Sequence, residues 1–165
     1  MIHYFGYGSN LSRVSLRSKG VAAHQSQPAV LKSWRLAFNI NHLFRFEGKV
    51  ANVVHASNGS VHGALYSCPK ESLQDLDALE DLGVYYERLE LGVITYAGKP
   101  ETAFAYVDLP ATLKNEGHPS QRYRNILFQG AREIGLTRHY IDWLGDLQTY
   151  PQPSRPPFEP ASEGV

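Results

Sequence analysis

The amino-acid sequence predicts one strand-rich domain that mixes β-strands with helices, in the α+β class. Its 165 residues match the length of a single domain with one core. Runs of apolar, β-branched and aromatic residues, separated mostly by Gly, Pro or Asn, fill the middle of the chain and indicate strands. Other segments place apolar residues three and four positions apart, which is the spacing of amphipathic helices.

The first predicted strand covers residues 2–7 and runs into the polar loop Gly8-Ser9-Asn10. Turn-forming residues lie between most of the later apolar runs, so each run is interpreted as a separate strand. We expect these strands at residues 29–40, 50–55, 61–67, 85–96 and 102–107.

Three helices are expected around the strands. The first covers residues 69–82, between a proline that suits the first turn of a helix and a glycine that can end it. The second follows Ser120, whose hydroxyl can cap the helix, and ends at Gly135. A third helix is predicted to begin at Thr137.

The composition predicts a folded protein with a small-molecule partner. Hydrophobic residues make up 42% of the chain and charged residues 19%, which excludes wholesale disorder. Acidic and basic residues number 16 each, and no basic cluster is interleaved with aromatic residues, so no nucleic-acid partner is expected. The scattered histidines and the single cysteine, Cys68, predict no metal site. Because Cys68 has no evident base partner, it is interpreted as a packing residue rather than a nucleophile.

The two ends of the sequence suggest how the chain is organised. Met1 leads directly into an aromatic strand, and the sequence has no stretch of ~18 apolar residues, so a cytoplasmic protein without a membrane partner is expected. Five of the ten prolines follow Tyr150, which favours an extended segment there. We therefore expect a folded domain at residues 1–148 and a Pro-rich tail at residues 149–165.

The loop after the first strand is a candidate binding site. Small side chains at Gly8, Ser9 and Asn10 leave backbone N–H groups uncovered, and such groups can converge on an anion or a polarised carbonyl. Tyr4 and Tyr7 offer flat walls with polar tips beside the loop. The same residues would also form an ordinary tight turn with no ligand, and the loop by itself leaves both interpretations open.

Glu80 is a candidate general acid and base. On the predicted helix it lies seven residues after Leu73 and four after Leu76, so it shares their inward face, while Asp77 lies at the border of the polar face. Burial would raise the pKa of this carboxyl group towards the range in which it both accepts and donates a proton. Alternatively, Glu80 extends into solvent or pairs with Arg88. Arg88 is itself interpreted as part of an exposed strand pair with Glu87, although it could reach a substrate carboxylate.

Together, these motifs resemble the γ-glutamyl cyclotransferase family, whose relatives include plant avirulence-induced proteins. The resemblance begins with Tyr7-Gly8-Ser9-Asn10-Leu11 and with Leu76-Asp77 followed by Glu80. It continues through residues 46–52 and 61–66, through Tyr86-Glu87-Arg88, and through the helix that begins near Tyr123. It therefore extends from residue 3 to about residue 145.

This resemblance implies a small mixed β-barrel with flanking helices and a cavity for the γ-glutamyl group. By position, it gives Glu80 the catalytic role and makes Tyr123 a substrate contact, although Tyr123 could instead be a core tyrosine whose hydroxyl bonds the backbone. No cofactor and no metal are implied, and a homodimer is compatible with this interpretation. The implied substrate-binding loop comprises Gly6, Tyr7, Gly8, Ser9, Asn10 and Leu11.

The implied reaction is closure of a γ-glutamyl amide to 5-oxoproline with release of an amine. Two other functions fit the same cavity: a non-catalytic binding module for a γ-glutamyl or amino-acid-like ligand, and an amidase that uses water and releases glutamate. The loop reads Tyr-Gly-Ser-Asn-Leu, rather than the Tyr-Gly-Ser-Leu of the glutathione-degrading branch or the Tyr-Gly-Thr-Leu of the γ-glutamylamine branch. The sequence therefore leaves the leaving group open among amino acids, amines and glutathione.

Overall fold

A computed structural model describes residues 1–41, 48–79, 86–108 and 115–151. Its centre is a closed five-stranded barrel in the order β1-β3-β2-β4-β5. This architecture confirms the mixed barrel that the resemblance implied. The strands are β1 (Ile2–Gly6), β2 (Gln25–Asn41), β3 (Lys49–Cys68), β4 (Tyr86–Thr95) and β5 (Pro100–Asp108).

The barrel is closed by β1, which pairs with a different strand on each side. It runs antiparallel to β3, with Tyr4 opposite Tyr66, and parallel to β5, with Tyr4 opposite Phe104. The remaining neighbours, β2 with β3, β2 with β4 and β4 with β5, are antiparallel. Closure gives each strand a partner on both sides, and it places the inward side chains in one core.

One long strand, β3, replaces two predicted strands. The sequence analysis separated residues 50–55 from residues 61–67 because turn-forming residues lie between them, but both runs belong to the same strand. The irregularity appears instead as a shift of register against β2, where Lys32 pairs with Ser60 but Trp34 pairs with His55. At this bulge Ser33 has a left-handed φ of 66°. Bulges of this kind bend a strand and help a sheet to close.

Among the described residues, four helices and one 3-10 turn surround the barrel. The helix after Ser120 begins and ends as predicted, since Ser120 accepts from the Tyr123 N–H at 3.0 Å and Gly135 adopts a left-handed φ of 77°. The last helix begins as predicted, with Thr137 as its cap. No described helix has the length and apolar character needed to cross a membrane. The elements are the 3-10 turn (Ser9–Leu11), α1 (Arg13–Ser18), α2 (Ser72–Leu79), α3 (Gln121–Ile134) and α4 (Arg138–Gly145).

Two helices in the N-terminal half differ from the prediction. The short α1, capped by the Ser12 side chain and anchored by the fully buried Leu16, was not predicted. The predicted helix at 69–82 begins at Ser72 rather than Pro69, since residues 69–71 form a turn in which the Ser72 N–H bonds the Pro69 carbonyl at 3.1 Å. The end of that helix and most of the predicted Pro-rich tail lie outside the described residues.

Candidate active site

A cavity of about 320 Å³ lies beside the strand-one loop. This volume is at the lower end of the range for small-molecule sites, roughly 300–1,000 Å³. The loop, the barrel strands β1, β3, β4 and β5, and the helices α1 and α3 all contribute to its walls. The lining residues are Tyr4, Tyr7, Gly8, Ser9, Asn10, Ser15, Lys19, Val50, Ala51, Tyr86, Tyr106, Arg122, Tyr123 and Ile126.

The strand-one loop is wound into the 3-10 turn. The Leu11 N–H donates to the Gly8 carbonyl at 2.8 Å, and the Ser12 N–H donates to the Ser9 carbonyl at 3.3 Å. Gly6 permits this winding, because an added Cβ there would lie 2.7 Å from the Asn10 carbonyl oxygen. The first N–H groups of such a turn have no carbonyl partner within the turn itself. The tight connection predicted from composition therefore also forms one wall of the cavity.

Asn10 connects the loop to the barrel and to α1. Its side-chain amide donates to the Tyr4 hydroxyl at 2.8 Å, and its side-chain carbonyl accepts from the Lys19 ammonium at 2.6 Å. The Tyr66 hydroxyl donates to the backbone carbonyls of Asn10 and Leu11, at 2.9 and 3.1 Å. Since Asn10 is 3% exposed and bonded at both ends of its amide, its position is fixed by the barrel.

Tyr123 is compatible with both interpretations in the sequence analysis, because its hydroxyl bonds the backbone and its side chain lines the cavity. It lies on the first turns of α3 and is buried, and its hydroxyl oxygen accepts from the Ala51 N–H at 3.2 Å. The same side chain lines the cavity and faces the loop, since an ideal Cβ on Gly8 would lie 3.1 Å from the Tyr123 hydroxyl oxygen. The tyrosine whose hydroxyl bonds the backbone is therefore also part of the cavity wall.

Tyr106 connects the cavity with α2. Its backbone carbonyl accepts from the Tyr7 hydroxyl, and its own hydroxyl donates to Asp77 Oδ1 at 2.6 Å. The other Asp77 oxygen accepts from the Arg88 guanidinium, which also lies over the Phe104 ring, 5.3 Å from its centroid. Burial, together with the bond to the Asp77 carboxylate, raises the pKa of Tyr106, so this phenol stays protonated at neutral pH.

The environments of Asp77 and Arg88 therefore differ from those predicted. The sequence analysis interpreted Asp77 as a solvated helix carboxylate and Arg88 as part of an exposed strand pair. Their side chains are 24% and 27% exposed, and they form a partly buried ion pair at the Tyr106 wall. The bond to Asp77 raises the pKa of Arg88, so its positive charge persists throughout the physiological range. Arg88 is one of the groups that hold α2 against the barrel.

The structure brings most of the predicted site residues together. Tyr7, Gly8, Ser9, Asn10 and Tyr123 all line the same cavity. Gly6 and Leu11 do not line it, because Gly6 closes β1 and the 1%-exposed Leu11 packs in the core. Glu80, the predicted acid and base, lies outside the described residues.

Several lining residues were not predicted, Lys19 and Arg122 among them. Lys19 follows the last residue of α1, and its ammonium reaches Ser9 Oγ at 2.9 Å as well as Asn10. Arg122 precedes Tyr123 on α3. A single lysine or arginine is ordinary in a helical sequence, so the packing of α1 and α3 against the loop would have been needed to find this pair.

Cys68 is a packing residue, as predicted. It is 0% exposed in the core, and burial raises the pKa of its thiol to about 11. The thiolate is therefore scarce at neutral pH. Among the described residues no group of histidine, cysteine or acidic side chains is arranged to hold a metal ion.

We expect native Cys68 to resist alkylation by iodoacetamide at pH 8 and to react readily once the protein is unfolded in urea. Both burial and the raised thiol pKa suppress attack in the folded state. Intact-protein mass spectrometry over time measures the rate, and free cysteine in the same buffer gives the reference. Modification of the folded protein as fast as free cysteine would contradict the packing assignment.

Comparison with known proteins gives the same family. Residues 60–144, just over half of the chain, match the model of the AIG2-like family. A mouse γ-glutamylcyclotransferase is 30% identical over 150 residues, which cover 88% of this chain and 78% of the mouse protein. The human γ-glutamylcyclotransferase is 29% identical over the same coverage.

A solved structure of a γ-glutamyl cyclotransferase has the same fold. It superposes with a TM-score of 0.81 at 24% identity, and the match covers 90% of this chain and 89% of that one. The fold likeness, the family match and the 30% identity to the mouse protein agree. The chain therefore belongs to the γ-glutamyl cyclotransferase family of enzymes.

Proposed function

We propose that the protein cyclises a γ-glutamyl amide to 5-oxoproline and releases the amine, with Glu80 as general acid and base. The observation that carries this proposal is the cavity between the strand-one loop and Tyr123. It has the size of a small-molecule site, and its described charged side chains, Lys19 and Arg122, are cationic. Such a cavity suits a substrate group that carries a carboxylate.

The substrate supplies its own nucleophile in this reaction. The α-amine attacks the γ-carbonyl carbon and forms the ring C–N bond, and the bond from that carbon to the leaving amine then breaks. Holding amine and carbonyl together contributes most, because favourable orientation is worth roughly 7–11 kcal/mol in intramolecular cases. Tyr4, Tyr7 and Tyr123 form a rigid wall against which the glutamyl chain can fold.

Glu80 would move the proton between the two nitrogens. It would take a proton from the substrate ammonium before attack and give that proton to the departing nitrogen. The attacking nitrogen loses a second proton when it becomes the lactam N–H, and this proton ends on the released amine, so no net proton and no water is consumed. General acid and base catalysis of this kind typically raises the rate by about 10²–10⁴-fold. Two observations support the assignment. Leu76, four residues before Glu80, is fully buried, and Asp77, three residues before it, accepts a hydrogen bond from the cavity residue Tyr106. At Asp77, α2 therefore lies against the cavity wall.

The leaving amine has a route on the side of α3. Ser15, Arg122 and Ile126 line both the cavity and an adjoining open groove between α1 and α3. The groove has room for an amino-acid or peptide leaving group beyond the scissile bond. Its remaining walls are Ser12, Val14, Gln121, Asn125, Gln129 and Glu133.

One assay tests the proposed function. The protein is incubated in ¹⁸O-labelled water with γ-glutamyl amino acids, γ-glutamyl amines and glutathione, and the products are identified by mass. Cyclisation gives 5-oxoproline without ¹⁸O, whereas an amidase gives glutamate carrying one ¹⁸O. Release of labelled glutamate, or ligand-dependent thermal stabilisation with no product, would overturn the cyclisation and favour the amidase or the binding module.

Replacing Tyr123 with Phe is expected to raise KM several-fold while kcat stays within about threefold, because the hydroxyl belongs to the binding wall. The midpoint of thermal unfolding should also fall, since the buried Ala51 N–H loses its acceptor at a cost of about 1–3 kcal/mol. Steady-state kinetics and a thermal scan measure the two effects. The matched control is Tyr150→Phe on an exposed ring, which should keep the wild-type constants. A fall in kcat at unchanged KM in Tyr123→Phe would contradict the binding role.

A further inference from the structure

The outside of the barrel carries an apolar face that the proposed function does not use. Strand pairing places His62 of β3 opposite Val30 of β2, and Val30 opposite Ile94 of β4. Opposite residues of paired strands point to the same side of a sheet, and the residues before and after each of these three are buried, so the row faces outward. The cavity lining includes none of the three, so the row belongs to a different surface.

Aromatic rings extend this row onto α4. The His62 ring lies 5.7 Å from the Tyr96 ring and is stacked on the Tyr140 ring, 4.6 Å away between centroids. Tyr140 in turn lies 5.2 Å from the Trp143 ring. Of the six large apolar side chains that are exposed in the described part of the chain, three lie on this surface. The surface, named the aromatic face, comprises Val30, His62, Ile94, Tyr96, Tyr140 and Trp143.

The aromatic face is ordered before any partner arrives. His62 Nδ1 and the Tyr96 hydroxyl are hydrogen-bonded at 2.5 Å, and the Thr137 N–H donates to the same hydroxyl at 3.1 Å. Burial lowers the pKa of His62, and the nearby charge of Lys32 lowers it further, so the imidazole is predominantly neutral at pH 7. Ordered, uncharged rings with polar tips are the kind of surface on which proline-rich segments bind in the polyproline II conformation.

The chain contains a segment of the matching kind after Tyr150. The sequence predicts a Pro-rich tail at residues 149–165, and this tail has the spacing P-x-x-P twice. Segments with this spacing favour the polyproline II conformation before they bind, so they lose little conformational entropy on binding. The two motifs are Pro153-Ser154-Arg155-Pro156 and Pro157-Phe158-Glu159-Pro160.

The tail starts within reach of the aromatic face. Its starting point is fixed, since the Tyr150 N–H donates to the Pro119 carbonyl at 2.7 Å. Trp143 precedes Pro151 by eight residues and lies within α4, so the two are less than about 29 Å apart. The segment from Pro151 to Pro160 extends about 28 Å as a polyproline II helix. The second motif can therefore reach the face without any movement of the barrel.

We propose that the Pro-rich tail, residues 152–165, docks on the aromatic face of its own chain. Because the tail is tethered, its effective concentration at the face is in the mM range, and a modest affinity is enough to keep it docked. Lys32, which is exposed beside His62, offers a cation to Glu159 of the second motif. The inference goes beyond the proposed function and does not depend on the reaction in the cavity.

Competition between the tail and a free copy of it tests the proposal. A peptide of residues 151–165 is titrated to about 5 mM into ¹⁵N-labelled full-length protein, and shifts of the amide and indole N–H signals give its affinity. It should bind a tail variant at least about fivefold more tightly than the wild type, whose own tail competes. The same peptide with its four motif prolines replaced by serine should bind neither protein. The tail variant is full-length and carries Pro153→Ser, Pro156→Ser, Pro157→Ser and Pro160→Ser.

Two substitutions in the tail variant locate the binding surface. Trp143→Ser removes an exposed ring of the face and should weaken peptide binding at least about fivefold. Glu90→Ser changes an exposed residue of β4 outside the face and should leave the affinity unchanged. If Trp143→Ser does not fold, as judged by its thermal transition, Ile94→Ser takes its place.

Three results of the titration would overturn the proposal: equal peptide affinity for the wild type and the tail variant, no binding at about 5 mM, or binding that survives Trp143→Ser. Sedimentation velocity on the same proteins tests a second copy of the chain as the occupant. A dimer that persists in the tail variant but dissociates with Trp143→Ser would assign the aromatic face to an interface between copies and would also overturn tail docking.

Discussion

Replacing Glu80 with Gln is expected to lower kcat at least about 100-fold while KM changes by less than about threefold. Glutamine keeps the size of the side chain and its capacity to hydrogen-bond, but it cannot accept the ammonium proton or return it to the leaving amine. Substrate binding is assigned to other groups, the strand-one loop and Tyr123, so affinity should persist. The measurement is steady-state release of 5-oxoproline, quantified by mass.

The control for this variant is Glu71→Gln, which removes an exposed carboxylate just before α2. It should leave both kinetic constants near the wild-type values. Both variants should also unfold at the wild-type temperature, within about 2 °C. Near-normal 5-oxoproline release by Glu80→Gln would overturn the acid and base role, and a loss of thermal stability confined to Glu80→Gln would point to a structural one.

Glu80 shows how far sequence reasoning extends at this site. Its proposed acid and base role rests on helical periodicity and on the family resemblance, both of which are local patterns. Asp77 shows the limit, because periodicity placed it at a solvated border although it bonds Tyr106 and Arg88. These partners lie 29 and 11 residues away in the chain, and helical spacing carries no information about them.

The fold was predictable where local chemistry determines it. Ser120 and Gly135 mark the two ends of α3, because a capping hydroxyl and a left-handed glycine act within one helical turn. By contrast, the bulge opposite Ser33 depends on the pairing of β2 with β3, so Asn58-Gly59 was interpreted as a break between strands. Barrel closure likewise depends on the pairing of β1 with β5, which are about 100 residues apart.

The candidate site also has one part that the sequence predicted and one part that it did not. The strand-one loop is a continuous motif and was found, whereas Lys19 and Arg122 reach the cavity only through the packing of α1 and α3 against that loop. α1 has six residues, too few for a clear periodic signal, so neither the helix nor its lysine was predicted. Residues that only packing brings to a site can be recognised only once the fold is known.

Replacing Gly130 with Ala is expected to lower the free energy of unfolding by about 2 kcal/mol or more. Helix propensity alone predicts the opposite sign, a gain of about 1 kcal/mol from Gly to Ala in a helix interior. However, an added Cβ would lie 2.6 Å from the Ser12 backbone nitrogen and 2.8 Å from the Leu11 carbonyl carbon. These are backbone atoms and cannot rotate away, so α3 or the 3-10 turn has to move.

Urea unfolding followed by circular dichroism measures this loss. Gln129→Ala is the matched control, since it changes the exposed neighbouring residue of α3 and should stay within about 0.5 kcal/mol of the wild type. At a few degrees per kcal/mol, the thermal midpoint of Gly130→Ala should fall by about 4–8 °C. A variant as stable as the wild type would show that α3 does not need this close approach.

Gly130 also connects packing with binding. It lies seven residues after Tyr123, two turns along the same face of α3, so the contact that an alanine would separate also sets the distance from Tyr123 to Gly8. At a temperature where Gly130→Ala is fully folded, KM should therefore rise more than kcat falls, as in Tyr123→Phe. A Gly130→Ala variant with reduced stability but wild-type KM would separate the two effects and show that the loop can be displaced without altering the binding wall.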